Sequence, residues 1–88
     1  MHALVFTATI KDRAQAVQIL KERIVPGTSQ LPGFVAAYFV STGEAQATSL
    51  VVFESEETAR SAMEGGPRAP EEAVTIDNVE LGEVVAHA

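Results

Sequence analysis

Few side chains in this 88-residue chain have the means to do chemistry, and their types narrow what that chemistry is. Two histidines, His2 and His87, lie near the two ends of the chain. Imidazole titrates near neutrality and ligates Zn or Fe, so a pair would permit acid–base work or supply two arms of a metal site. No carboxylate stands at a spacing that makes a third ligand, so both histidines read as structural and no metal is expected. Tyr38, the single tyrosine, sits in the middle of an apolar run. A buried phenol can donate to a bound carbonyl or oxyanion; it can equally be an ordinary amphipathic core residue. Thr7, Ser49 and the pair Asp77-Asn78 add scattered polar groups. Cysteine is absent, which removes disulfides, thiolate nucleophiles and Cys-based metal sites. There is no Ser-His-Asp or Cys-His set, no phosphate loop and no HExxH motif. What remains is a mostly apolar cavity with a few polar groups, the usual make-up of a small-molecule site.

These residues must be positioned by short elements. Residues 3–10 (ALVFTATI) are β-branched and aromatic and read as a strand. Asp12 with Gln15 three residues on fits a helix N-cap and capping box. Ala16, Val17, Ile19, Leu20 and Ile24 then recur at spacings of three and four, an amphipathic helix. Pro26-Gly27 predicts that it weakens or ends near Val25, with a brief continuation to Ser29 allowed before Pro32-Gly33 stops it. Residues 34–41 and 45–54 read as two strands joined by turn chemistry at 41–44, where Gly43 is free to take positive φ. So short a link allows only an antiparallel hairpin. Ser55 caps a second helix, with Glu56 and Glu57 suited to its N-terminal dipole and Ala59, Ala62 and Met63 as its apolar stripe. Gly65-Gly66-Pro67 ends it, and 68–72 reads as a loop. Residues 74–85 read as a last strand or strand pair, with a bulge at Asp77-Asn78 or Gly82.

The order β-α-β-β-α-β predicts an α+β, ferredoxin-like domain: a four-stranded antiparallel sheet with two helices on one face. The other face carries the more telling signal. A half-solvated sheet alternates apolar and polar residues. Residues 34–40 (FVAAYFV) are instead all apolar or aromatic, and Leu50 to Phe53 form an unbroken apolar group. Two helices cover one face only, so a second copy of the chain is expected to cover the other. An interface of ~800 Å² per partner would be ordinary, and at ~25 cal/mol per Å² its apolar gain is large beside the margin of so small a monomer.

Composition sets the remaining bounds. The length allows one domain, residues 1–88, and the 47% apolar fraction allows a packed core. Residues 1–43 carry four basic and two acidic groups; 44–88 carry two basic and ten acidic, for a net charge of −6. No Lys/Arg cluster exists to displace counterions, so neither nucleic acid nor an anionic membrane is an expected partner. No apolar run approaches the ~20 residues that span a bilayer. No basic segment followed by a long apolar one opens the chain, so the expectation is a cytoplasmic protein.

Two segments carry a family resemblance. Leu31-Pro32-Gly33-Phe34, entering the second strand, and Val52-Phe53-Glu54-Ser55-Glu56-Glu57-Thr58-Ala59, leaving the third, resemble the antibiotic biosynthesis monooxygenase family. More broadly they resemble the dimeric α/β-barrel superfamily, whose element order matches nearly the whole chain. The resemblance implies a homodimer whose sheets face each other, with a pocket in each half. It also implies Phe53 at a pocket position that is often Trp in the family. Haem-degrading relatives pair that Trp with an Asn on the first strand and a His on the second helix. Neither is present here, so the haem-degrading reading is disfavoured and no cofactor is expected.

The candidate ligand pocket is accordingly Phe53, Tyr38, Ser49, Val51, Thr7 and His2. Hairpin register decides part of this set. A two-residue turn at Thr42-Gly43 pairs Tyr38 with Ala47 and puts Tyr38 on the face of Ser49, Val51 and Phe53; a three-residue turn with a glycine bulge puts Phe39 there. By the resemblance, Leu50 and Val52 should answer the helical residues Val17, Leu20, Ile24 and Met63, leaving Phe53 to the dimer side. Three function classes fit. The first is an apolar small-molecule-binding dimer. The second is a cofactor-independent monooxygenase or isomerase acting on a planar apolar substrate. The last is a non-catalytic scaffold.

Overall fold

The computed structural model describes residues 1–65 and 73–88, so the expected loop at 68–72 lies outside the described residues. Four strands, β1 (His2–Ile10), β2 (Phe34–Ser41), β3 (Gln46–Phe53) and β4 (Val74–Glu83), form one antiparallel sheet in the order β2-β3-β1-β4. The helical segments are α1 (Arg13–Ile19), a π-helical turn over Leu20–Ile24, α2 (Val25–Ser29) and α3 (Glu56–Gly65). This is the ferredoxin-like β-α-β-β-α-β arrangement that the element order predicts.

Both helix starts are capped as their sequences require. The Asp12 carboxylate accepts from the backbone N–H of Gln15 at 3.0 Å, which satisfies one of the orphan donors of α1. At α3 the Ser55 hydroxyl accepts from the Thr58 N–H at 3.2 Å, and Thr58 Oγ1 accepts from the Ser55 N–H at 3.3 Å. That reciprocal pair is a capping box with Thr in the third position. Glu56 also accepts from Arg60 one turn later, at 2.6 Å.

Pro26 does not end the first helix. In a regular α-helix its ring would clash with the carbonyl of Glu22, four residues earlier. The chain instead widens into the π turn, where the Val25 N–H reaches back five residues to the Leu20 carbonyl. Helix then runs on as α2 to Ser29, the continuation that the sequence allowed.

Strand register corrects one expectation outright. β3 pairs with β1 through His2↔Phe53, Leu4↔Val51 and Phe6↔Ser49, and with β2 through Phe39↔Ser49 and Ser41↔Ala47. Val51 and Phe53, and not Leu50 and Val52, therefore face the helices. Phe53 is fully buried in a cluster with Leu4, Val51 and Ala59. The physical reason lies in bulk. The helix-side parity carries Leu4, Phe6, Val51, Phe53, Val79 and Leu81, whereas the outer parity mixes Val5, Leu50 and Val52 with Thr7, Thr48, Asn78 and Glu80. Burying the first set removes more apolar area from water.

Two irregularities set this register. The hairpin turn is longer than two residues: Thr42 donates to the Gln46 carbonyl across it at 3.0 Å. Gly43 does not adopt positive φ; Gly33, at +75°, is the residue that does. A shift between Phe34 and Ala36 leaves Val35 unpaired in β2, so Phe34 can stand opposite Phe53. On the other edge β4 is a single strand bulged at Asp77, one of the two expected positions. The Asp77 carboxylate there accepts from the Thr9 hydroxyl at 2.7 Å.

Candidate functional site

A cavity of about 460 Å³ lies between the sheet and the helices of this single chain. That is within the range of small-molecule sites, roughly 300–1,000 Å³. Its floor is the helix-side parity of the strands, with Phe6, Phe39 and Val51 in the middle. Its roof is α1 and the π turn, through Ala16, Val17, Leu20 and Ile24. α3 approaches the sheet closely and seals the Phe53 end with Ala62 and Met63. The first helix stands further off. Neither α1 nor the π turn contributes a buried residue, and Val17, on its apolar stripe, is 40% exposed.

That exposure has a sequence cause and a geometric one. The stripe of α1 is built for burial, but the sheet beneath presents Ala8, Ala47 and Ser49, short side chains that leave the space open. The π turn adds Leu20 and Ile24 to the same wall. Such turns are frequent at functional sites, where they re-aim side chains.

Polar groups are sparse on the lining. Among the described residues they are the buried Thr28, Ser49 on the floor, and the pair Arg13 and Ser41 at the opposite end from Phe53. Arg13 opens α1 three residues after the end of β1, and Ser41 ends β2. The guanidinium donates to Ser41 Oγ at 2.9 Å, and Ser41 donates in turn to the Gly43 carbonyl at 3.0 Å. No histidine, cysteine, tyrosine or carboxylate lines the cavity among the described residues.

The six residues singled out from sequence divide between the two faces. Phe53, Val51 and Ser49 line the cavity together. Tyr38 and Thr7 lie on the outer face, where Tyr38 is paired with Leu50 and 62% exposed. The longer hairpin turn is responsible, since it puts Phe39 where a two-residue turn would have put Tyr38. His2 shares the Phe53 parity but sits at the sheet end by α3, with Nε2 4.0 Å from a Glu56 carboxylate oxygen and Nδ1 buried without a hydrogen bond. His87 lies beyond β4, and no hydrogen bond or ion pair joins the two histidines among the described residues. Nor does any group of three or more His, Cys, Asp or Glu among those residues have the arrangement to hold a metal ion.

This cavity lies inside one chain, between sheet and helices, a place that sequence analysis did not assign. The residues missed were Arg13, Ser41 and the α1 stripe. The signal that could have found Arg13 is its place as a cation just after the Asp12 N-cap, in the first helical turn.

Among solved structures the chain is similar in fold to HapK from Hahella chejuensis. The TM-score is 0.69 at 11% sequence identity, over 100% of this chain and 96% of that one. It is also similar to MhuD from Mycobacterium tuberculosis, a heme-degrader whose structure holds two hemes in its active site. Here the TM-score is 0.57 at 23% identity, over 97% of this chain and 98% of that one. An arginine-to-serine mutant of MhuD, with two manganese protoporphyrin IX bound per active site, gives 0.56 at 23% identity and 97% coverage of each chain. At these identities the likeness is one of fold. No protein-family model matches the chain, and no curated protein matches it. No helix among the described residues is long and apolar enough to cross a membrane.

Proposed function

We propose that this chain is a single-domain small-molecule-binding protein whose apolar ligand occupies the space between the sheet and the first helix. The observation that carries the reading is the apolar stripe of α1, which stands over a cavity of about 460 Å³ in place of a packed core. Apolar residues left unpacked sacrifice dispersion contacts and burial, and a ligand in the cavity restores both. Binding fits the lining better than catalysis does. Among the described residues its polar groups are three hydroxyls and one guanidinium, and none of them serves as a general acid or base near neutrality. Haem, which MhuD holds, is poorly matched, because the lining offers iron no histidine, cysteine or tyrosine. The cofactor-independent monooxygenase or isomerase suggested by the family resemblance would find no protein base among the described residues of the lining.

The same reading includes a homodimer through the outer face, where Val35, Tyr38 and Leu50 are exposed and no helix covers them. A cytoplasmic location accords with it.

Binding is tested with methyl 1-pyrenebutyrate, an uncharged planar apolar fluorophore, titrated against wild type and Ala16→Trp. Ala16 lines the roof without being buried, so an indole there fills the cavity and leaves the core alone. The expected result is one saturable site per chain in wild type and none in the variant, with the variant at least as stable. Equal binding by both would place the ligand elsewhere and end the assignment.

A further inference from the structure

The polar groups of the cavity are unevenly placed, and that asymmetry points to a ligand class. One end is closed by Phe53, Leu31 and Met63; the other carries Arg13 and Ser41. Ser41 accepts from Arg13 and donates onward to the Gly43 carbonyl, so its hydroxyl is fixed as an acceptor and holds the guanidinium at the rim. A guanidinium has five N–H donors in a planar fork, and this contact uses one. No carboxylate lies within ion-pair distance of Arg13 among the described residues; the recorded pairs are Glu56 with Arg60 and Glu56 with His2. Twelve acidic side chains outnumber six basic ones in this chain, so a cation held at an apolar cavity with no ion-pair partner among the described residues stands apart from the general charge balance.

We propose that Arg13, braced by Ser41, binds the carboxylate of an otherwise apolar ligand whose hydrophobic body lies along the cavity toward Phe53. The proposal rests on the cavity reading above and adds the headgroup and the orientation. The guanidinium fork matches a carboxylate in a bidentate geometry that an ammonium or an amide does not reproduce. Arg13 is exposed, so solvent screens the contact and the expected gain is moderate.

The test compares 1-pyrenebutyrate with its methyl ester, identical in ring and chain and different in charge, by fluorescence titration at neutral pH. Wild type is expected to bind the acid about tenfold more tightly than the ester, the size of one charge-assisted contact. Arg13→Gln should abolish the preference for the acid over the ester. Ser41→Ala should lose part of the preference, since the arginine is then free to swing into solvent. If wild type binds acid and ester equally, or if Arg13→Gln weakens both alike, the headgroup assignment is wrong although the cavity reading survives. If wild type binds neither, the cavity reading fails and this proposal falls with it.

Discussion

Phe34 and Phe53 meet edge to face, with ring centroids 6.4 Å apart and planes at 83°. The contact joins the entrance of β2 to the exit of β3, the two places where the sequence resembles the monooxygenase family. Around it the Glu54 N–H donates to the Gly33 carbonyl at 2.8 Å, and Gly33 lies against Thr58 of the α3 capping box. Two motifs well separated in sequence are therefore one contact cluster in space, and each explains the other's residue types.

Gly33 is the position where this cluster tolerates no side chain. Its φ is +75°, and an added Cβ would sit 2.6 Å from Thr58 Oγ1 and 2.8 Å from Thr58 Cβ. The left-handed backbone alone costs an L-residue about 1–2 kcal/mol, and Thr58 would have to shift besides. Gly33→Ala should therefore lose about 2 kcal/mol or more in a denaturant melt. Gly43→Ala is the control: nothing lies within 4 Å of a Cβ there and φ is ordinary. It should be neutral or gain up to about 1 kcal/mol through the unfolded chain.

Phe53→Ala should behave as a core truncation. The side chain is 0% exposed and packs with Leu4, Val51 and Ala59, so a loss of about 3–5 kcal/mol is expected. Tyr38→Ala removes an aromatic of similar size from the outer face and should cost the isolated chain far less. Comparable losses at the two positions would contradict the register.

Outer-face substitutions should act on association instead. Tyr38 and Leu50 stand opposite each other across β2 and β3. Light scattering at micromolar concentration should show wild type as a dimer and Leu50→Glu as a monomer with unchanged circular dichroism. A wild-type monomer that stays folded at that concentration would remove the dimer from the proposal.

Asp12→Ala should cost about 1 kcal/mol, the usual value of an N-cap. The Gln15 N–H loses its acceptor, and the first turn of α1 should exchange its amide hydrogens faster while the sheet is unaffected.

Much of this protein could be read from residue order alone, because the governing interactions are local. Asp12 and Ser55 announce helix starts through bonds that close within three residues, and β-branched runs announce strands. Topology followed, since a short link permits only a hairpin and two helices cover only one face. The two-faced apolar character of 34–40 was equally plain. Which face met the helices was not. Alternation fixes that Val51 and Phe53 point together, but the direction depends on the length of the 42–45 turn and the bulge at Val35. Both are settled by the total apolar area that one choice of register buries against another. The cavity lay beyond sequence for a related reason. It is the gap left where the α1 stripe meets Ala8, Ala47 and Ser49, residues that belong to two different strands. Only their placement in space shows that the facing side chains are too short to fill it.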